Sequence, residues 1–352
     1  MNDFLYHAQN KEGIKLSAWV KRGELKDLYL CDSKIGVFVP ESIFWGKVQK
    51  ALPGTGGYFI TLPEHRVGFL RNSPPRKEGD IILVQISSYP QPGKQIPLQS
   101  KIVIKGKGVI ITPGAPGINI SKAIADSKKR KELYSLVETV VTRESLEKEN
   151  IGLILRTSCL SDDHQIKAEI EELMNSYRRI FLSGKPNKPT LVATGPSIHA
   201  RAERDWQPEE KFKVQDVGED IDKFGLWDLI IENIGDVVVL ENKANLIIEK
   251  TQAMIVIDVN SGGIKSKASA KSISLQAAEV IPRELRIRGF GGKIIIDFPS
   301  MNQSDKNDVE KCLSLAFKKD NVPTKLAGWT KLGNFELQRK RDRIPVNEIL
   351  KI

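Results

Sequence analysis

Between Ser42 and about Leu98 the apolar residues fall in short runs, SIFWGKVQKAL, GGYFITL, RVGFLR and DIILVQIS, separated by Pro-Gly, Pro-Glu and Pro-Pro pairs. Runs of this length, rich in aromatic and β-branched residues and bounded by turn formers, predict strands. Several short strands with tight turns predict a small barrel of the OB type. The opening 40 residues hold shorter β-type runs, Leu16 to Val20, Asp27 to Leu30 and Ile35 to Pro40, and predict hairpins. After two further strands, KIVIKG and GVIITPG, the period changes. In SKAIADSKKRKELYSLVETVVTRESLEKEN the apolar Leu133, Leu136, Val137, Val140 and Val141 fit helical spacing. A strand, GLILRTSCL, follows, then an amphipathic helix from Asp162 to Leu182 and a loop from Ser183 to Pro189 that suits a boundary. The last third alternates differently: DVVVLE, NLIIEK and AMIVIDVNSG read as strands, ISLQAAEVIPRELRIRGF as a helix, and KIIIDF as a strand again. Apolar strands alternating with a helix predict a sheet covered on at least one face.

Composition narrows the class. The 352 residues carry 54 Lys and Arg against 44 Asp and Glu, a formal charge of +10, with 40% hydrophobic content. That excludes a disordered tail or a fibrous repeat. At roughly 100 to 200 residues per domain the length predicts two or three compact units. No run reaches the roughly 20 apolar residues of a membrane span. The start, MNDFLYHAQNKEGIKL, lacks the basic-then-apolar order of a secretory signal, so a cytoplasmic location is expected. Cys31, Cys159 and Cys312 are far apart and odd in number, against both a disulfide framework and a Cys-x-x-Cys zinc site. The positive charge is uneven: seven Lys or Arg stand against two acids between Lys265 and Lys293, and eight against three between Lys318 and Arg343. Such clusters suit a polyanion, and both stretches are expected to grip phosphates.

Asp258 and Asp297 stand out by position, because each closes an apolar, largely β-branched run, AMIVID and KIIID. An acid there sits at the mouth of a sheet. Two such carboxylates on adjacent strands concentrate negative charge that a hard cation neutralises, and Mg²⁺ prefers one or two carboxylates completed by water and phosphate oxygens. That is a donor set for phosphoryl transfer, where a metal delivers hydroxide and stabilises charge on a phosphodiester. Asn260, on the same side of an extended segment, could hold one of the metal's waters. The alternative is that both aspartates cap strand ends or helix starts. His7, His65, His164 and His199 lack metal-ligand or nucleophile spacing, and no Gly-x-Ser-x-Gly or Walker-type loop occurs.

The segment IEKTQAMIVIDVNSG (248–262), followed by LRIRGFGGKIIIDF (285–298), closely resembles the catalytic core of the ribonuclease E/G family of bacterial endoribonucleases. The resemblance implies that Asp258 and Asp297 bind the catalytic Mg²⁺, with Mn²⁺ as an alternative ion, and that Asn260 hydrogen-bonds near it. It implies hydrolysis of single-stranded RNA to 5′-phosphate and 3′-hydroxyl products, in RNA processing, rRNA processing or mRNA decay. TKLGNFELQRKR (330–341) is similar to a later family segment, with Lys331 in place of the usual Arg beside the RNA. SIFWGKVQKALPGTGGYFITLPEHRVGFL resembles the family's OB-fold domain, with Phe59 and Phe69 at positions whose aromatics stack on RNA and Lys94 at a basic RNA-contacting position. GLILRTSC resembles the family's Gly-Leu-Ile-x-Arg-Thr element, which makes Arg156 and Thr157 ligands for a terminal 5′-monophosphate, with Gly106 and Ile110 lining that pocket. A guanidinium fork with a hydroxyl suits a phosphate dianion.

By the same resemblance the chain is α+β and multidomain. A ribonuclease-H-like subdomain is expected from 1–40 and 180–234, with an OB-fold barrel (41–100) and a 5′-sensor region (101–179) inserted, followed by a deoxyribonuclease-I-like catalytic domain (235–352). There are also departures. Ser274, Leu275, Gln276, Ala277 and Ala278 stand where the family usually reads Asn-Leu-Glu-Ala-Ala, so an acid is lost close to the site. Lys243 and Ala244 replace a Gly-Gly before the first catalytic strand, and Pro282 lies inside the following helix, where a kink is expected. The sequence ends at Ile352 without a Cys-x-x-Cys after the catalytic domain, so zinc and a zinc-linked dimer are not expected. A dimer through another surface or a monomer are the alternatives. The functional alternative is an RNA-binding protein of the same fold with weak or absent catalysis.

Overall fold

The computed structural model describes residues 3–52, 56–71, 74–160, 163–182, 184–206, 212–263 and 266–351. The expected Pro53–Gly54 turn, Asp162, Ser183 and Lys265 lie outside the described residues. The chain is mixed α+β and divides into two units, Met1–Ile35 with Pro208–Ile352, and Gly36–Gln207.

Strands β1 (Asp3–Gln9), β2 (Ile14–Lys21) and β3 (Glu24–Asp32) form an antiparallel meander. The cores of β2 and β3 are visible in the sequence and β1 is not, because His7 interrupts its apolar run. The structure resolves the conflict across the strand pair: His7 faces Ser17, and its Nδ1 lies 3.0 Å from the Ser17 hydroxyl. Ile35 to Pro40, expected as a strand, instead closes a 3-10 turn at Ile35 and continues as an irregular turn. Its one aromatic residue, Phe38, is drawn into the next core, where its ring stacks on Phe44 at 5.4 Å.

β4 (Ile43–Leu52), β5 (Gly57–Thr61), β6 (Val67–Arg71), β7 (Ile81–Ile86) and β8 (Ile96–Gln99) pair in the order β4-β5-β6-β8-β7. β7 also pairs with β4, closing a five-stranded barrel filled by Phe44, Val48, Ile60, Leu70, Val84 and Ile86. Closure removes the open edges that a small sheet would otherwise expose.

A second sheet in this unit combines β9 (Ile104–Lys105), β10 (Val109–Pro113) and β11 (Gly117–Ile120) with β12 (Ile151–Leu155). Helices α1 (Ser127–Glu138), α2 (Arg143–Lys148) and α3 (Asp163–Leu182) cover it. The stretch with helical spacing forms two helices, because the Thr142 hydroxyl accepts the Ser145 N–H and starts α2 afresh. Leu133, Val137 and Val141 are buried all the same, the last from the connection. β13 (Thr190–Ala193) pairs with β4, and α4 (Ile198–Asp205) follows, so residues 184–206 belong to this unit.

Glu41 ties these parts together. Its carboxylate accepts from Arg204 Nη1 at 2.7 Å and Nη2 at 3.0 Å, and from Lys105 Nζ at 3.0 Å. Burial alone would raise the Glu41 carboxyl, but the bonds and charge of Arg204, with Lys105 and Arg201 behind them, outweigh it and hold it at about 2. Because the folded value lies below the ordinary 4.5, the stabilisation is complete above about pH 4.5 and is lost as the pH falls toward 2. That interval corresponds to about 3 kcal/mol. Glu41→Gln is therefore expected to lower stability at pH 7 and to flatten acid sensitivity in this window, read by denaturant unfolding at several pH values. Parallel pH profiles for the two proteins would contradict it.

In the other unit β14 (Lys213–Gly218) adds in parallel to β1, and α5 (Leu226–Ile234) packs with that sheet. A six-stranded sheet follows, from β15 (Val237–Val239), β16 (Asn245–Lys250), β17 (Ile255–Asn260), β18 (Gly292–Asp297), β19 (Thr324–Trp329) and β20 (Phe335–Arg339), in the order β15-β16-β17-β18-β20-β19. The β17–β18 pair is parallel, and α6 (Lys267–Arg288) makes the crossover. Helix α6 continues through Pro282 and ends at Gly289, whose φ of +70° suits a residue without a Cβ. α6 and α7 (Gln303–Lys318) cover one sheet face, burying Ile257, Ile294 and Ile296 against Ala277, Ile281 and Leu313, while α8 (Val346–Leu350) joins the core of the first sheet.

Candidate active site

In β17 the buried Ile255, Ile257 and Val259 alternate with Val256, Asp258 and Asn260, and in β18 Ile294 and Ile296 alternate with Ile295 and Asp297. The apolar set is held by α6 and α7, so the other set must point to the opposite face. Asp258 and Asp297 are direct partners in the parallel ladder, and Asn260 pairs with Asn245 on β16. The two aspartates thus occupy neighbouring strands, about 5 Å apart at the backbone.

The polar contacts order this face. Asn260 Nδ2 donates to Asp258 Oδ2 at 3.0 Å and lies 3.4 Å from Asn245 Oδ1. Asp258 is half-buried and Asp297 is exposed. Among the described residues no Lys or Arg pairs with either carboxylate. Two adjacent carboxylates without an internal cation, flanked by carboxamides, fit a hard divalent ion. Among the described residues no group of three or more His, Cys, Asp and Glu could hold a metal, so an ion on Asp258 and Asp297 would complete its shell with water and substrate oxygens.

Lys331 is exposed in the β19–β20 turn, which Thr330 closes by accepting the Gly333 N–H at 3.1 Å. Because Phe335 pairs with Ile296, this turn stands at the sheet end where Asp297 lies. Asn245 was not singled out from sequence, although it opens a strand as a polar residue beside buried Leu246.

The expectation that both basic stretches grip phosphates needs correction. Arg286 pairs with Asp27 at 3.2 Å and Asp320 at 2.7 Å, Arg288 with Glu284 at 2.6 Å, and Arg339 with Asp320 at 3.2 Å. Lys271 lies 3.0 Å from Asp305 and 2.6 Å from Asp308. These cations hold strands and helices together, whereas among the described residues of the two stretches Lys293, Lys318, Lys319, Lys325 and Lys331 are exposed.

In the barrel Phe59 and Phe69 face each other across β5 and β6, with ring centroids 5.6 Å apart. Both are half-buried, outside the packed interior. Lys94 is exposed in the β7–β8 connection, three residues before Pro97, the ladder partner of Phe69. Arg156 follows β12, where its N–H donates to Gly108 O at 2.8 Å and its Nη1 reaches Lys107 O at 3.3 Å and Gly106 O at 3.5 Å. Ile110 is half-buried next to Lys105, and Thr157 is exposed. The fold therefore brings Gly106 to Arg156. It also brings Glu169 of α3, an acid between buried Ile166 and Leu173 that no motif in the sequence marks.

Known proteins align over most of this architecture. Ribonuclease G of Haemophilus influenzae is 26% identical over 95% of this chain and 78% of its own length. Ribonuclease G of Escherichia coli strain K12 is 24% identical over 95% of this chain and 79% of its own length. Ribonuclease E of Nostoc sp. is 24% identical, spanning 87% of this chain and 52% of that protein. The profile of the ribonuclease E/G family matches residues 103–216 and 207–342, which takes in the Arg156 loop and both aspartate strands, and the chain belongs to that family.

Proposed function

We propose that the chain is an endoribonuclease of RNA processing or decay that hydrolyses single-stranded RNA, leaving 5′-phosphate and 3′-hydroxyl ends. The observation that carries this reading is the in-register pairing of Asp258 and Asp297 on parallel strands, with no cation paired to either among the described residues. Asp258 and Asp297 would hold Mg²⁺, or Mn²⁺ in its place. Carboxylate and carboxamide oxygens suit such hard ions better than zinc. When bound, the ion supplies a hydroxide and neutralises charge developing on the phosphodiester. Asn260 fixes the Asp258 carboxylate through Oδ2, and Asn245 steadies the Asn260 amide. Lys331 meets a substrate phosphate from the turn beside Asp297.

The barrel supplies the grip. Phe59 and Phe69 stack on bases and Lys94 meets the backbone, a combination that suits single strands of any sequence. Arg156, Thr157, Gly106 and Ile110 form a pocket for a 5′-monophosphate. By family analogy residues 1–40 and 180–234 are ribonuclease-H-like, 41–100 the OB-fold, 101–179 the 5′-sensor and 235–352 the deoxyribonuclease-I-like catalytic domain.

A second reading, an RNA-binding protein with weak or absent catalysis, draws on Gln276. Its amide oxygen accepts the Glu241 N–H at 3.3 Å, where family members usually carry an acid. The loop after Glu241 also places Asn242 and Lys243 at φ of +55° and +64°, the left-handed region that glycine adopts without cost.

A labelled single-stranded RNA incubated with the purified chain in Mg²⁺, Mn²⁺ or EDTA decides between them. Cleavage in Mg²⁺ but not EDTA, with 5′-phosphate product ends, is the expected result. Cleavage that persists in EDTA, or cyclic phosphate ends, would overturn the metal reading. Salt-sensitive RNA binding without cleavage in either ion would favour the second.

A further inference from the structure

Glu169 leaves α3 on the side of buried Ile166 and Leu173, where it is half-buried. Its carboxylate reaches the loop between β9 and β10. Oε1 and Oε2 accept the Gly108 N–H at 3.1 and 2.9 Å, and Oε1 also accepts the Lys107 N–H. Gly106 makes the approach possible, since a Cβ at that position would collide with Glu169 Oε1. Burial is the largest influence on this carboxyl and raises it from its ordinary value, against the two N–H donors and the charge of Arg156. Successive backbone N–H groups beside a guanidinium form a concave anion site. Here an anion already fills it.

We propose that Glu169 determines 5′-end specificity: its carboxylate is a tethered occupant of the Gly106–Lys107–Gly108 loop, and an RNA 5′-monophosphate gains that loop only by displacing it. The inference rests on the reading of Arg156 and Gly106 as the 5′-phosphate pocket. A tethered carboxylate competes at the high effective concentration of an intramolecular group. Arg156 is partly engaged as well, by the Gly106 and Lys107 carbonyls and by Asp205 Oδ1 at 4.0 Å. The wild-type chain therefore discriminates weakly between a 5′-monophosphate and a 5′-hydroxyl, and removing the charge at residue 169 sharpens the distinction. A residue that merely braced the loop would have the opposite effect, since loosening the loop lowers affinity for any anion.

The test is the ratio of dissociation constants for two RNAs of one sequence, one 5′-monophosphorylated and one 5′-hydroxyl, measured by fluorescence anisotropy at fixed salt. Glu169→Gln keeps the size and removes the charge, while Glu169→Ala empties the position. Preference for the monophosphate is expected to rise roughly tenfold in both, the equivalent of one freed charge-assisted hydrogen-bond set. Arg156→Gln added to Glu169→Ala should return the ratio to near one. If wild type already prefers the monophosphate strongly, through Arg156, and neither Glu169 variant increases that preference, the inference falls while the pocket stands. If no variant shows a preference that depends on Arg156, the pocket reading fails and the inference with it. Should Glu169→Ala lose its fold by circular dichroism, the isosteric Glu169→Gln decides alone.

Discussion

Asp258→Asn and Asp297→Asn are each expected to lower RNA cleavage by about a thousandfold or more, equivalent to ~4 kcal/mol of transition-state stabilisation. Each change removes one of the two paired carboxylates that would hold a divalent ion, and a carboxamide is a much weaker ligand for a hard cation. The double variant should be little worse than either single one, because ligands of one ion act as a unit. Asn260→Ala should cost less, about 10- to 100-fold, since Asn260 orients Asp258 through its Oδ2. The fold is expected to survive: neither carboxylate holds an internal ion pair among the described residues, and neutralising one relieves repulsion with its ladder partner. Cleavage assays run beside thermal melts and RNA-binding measurements separate these effects. Full activity in either aspartate variant would remove the two-carboxylate site from the mechanism.

Arg343→Met is expected to destabilise the fold by about 3–5 kcal/mol, the range for stripping one partner from a buried ion pair. Asp27 is 3% exposed and Arg343 7%, and Arg343 forks onto Asp27 with Nη1 and Nη2, the second bond at 3.2 Å. Nη1 also donates to Leu28 O at 2.7 Å and Arg286 O at 3.0 Å, and the guanidinium lies 4.1 Å from the centre of the Tyr29 ring. Through Arg286, Asp320 and Arg339 the network runs from β3 to α6 and on to β20, so it fastens the N-terminal meander to the sheet that carries the aspartates. Burial alone would raise the Asp27 carboxyl, but Arg343 and Arg286 together outweigh it and hold it below its ordinary value. The sign follows: this contribution is complete above the carboxyl's unfolded value, near pH 4, and is lost as the pH falls through the lower folded value. Replacing both partners, as in Asp27→Leu with Arg343→Met, should recover much of the loss because no buried charge is left unpaired. Equilibrium denaturation of the two variants tests this. A loss below about 1 kcal/mol for Arg343→Met would show that the pair is solvated and outside the range for buried pairs.

Barrel strands such as GGYFITL and RVGFLR were legible because alternation and turn residues are local signals, and the same holds for the alternation that ends at Asp258 and Asp297. Failures occurred where a distant partner overrode the local pattern. β1 was hidden by His7 until Ser17 of β2 satisfied it. Phe38 left a strand-like run because Phe44 and the barrel core offered it burial. The two basic stretches suited a polyanion, yet Arg286 and Arg343 face acids 34 and 316 residues away.

The sequence by itself determined the mixed α+β class, the two acid-terminated strands and the family, since each is written in the order and period of neighbouring residues. Only the tertiary structure decided that Asp258 and Asp297 share a register, that Asn245 joins them, that most of the C-terminal arginines turn inward, and that Glu169 fills the loop beside Arg156. The physical reason is the range of the forces involved. Periodicity and turn preference act over a few residues, whereas strand register, buried ion pairs and anion sites are chosen by which groups lose their water together, and chain order alone does not specify that.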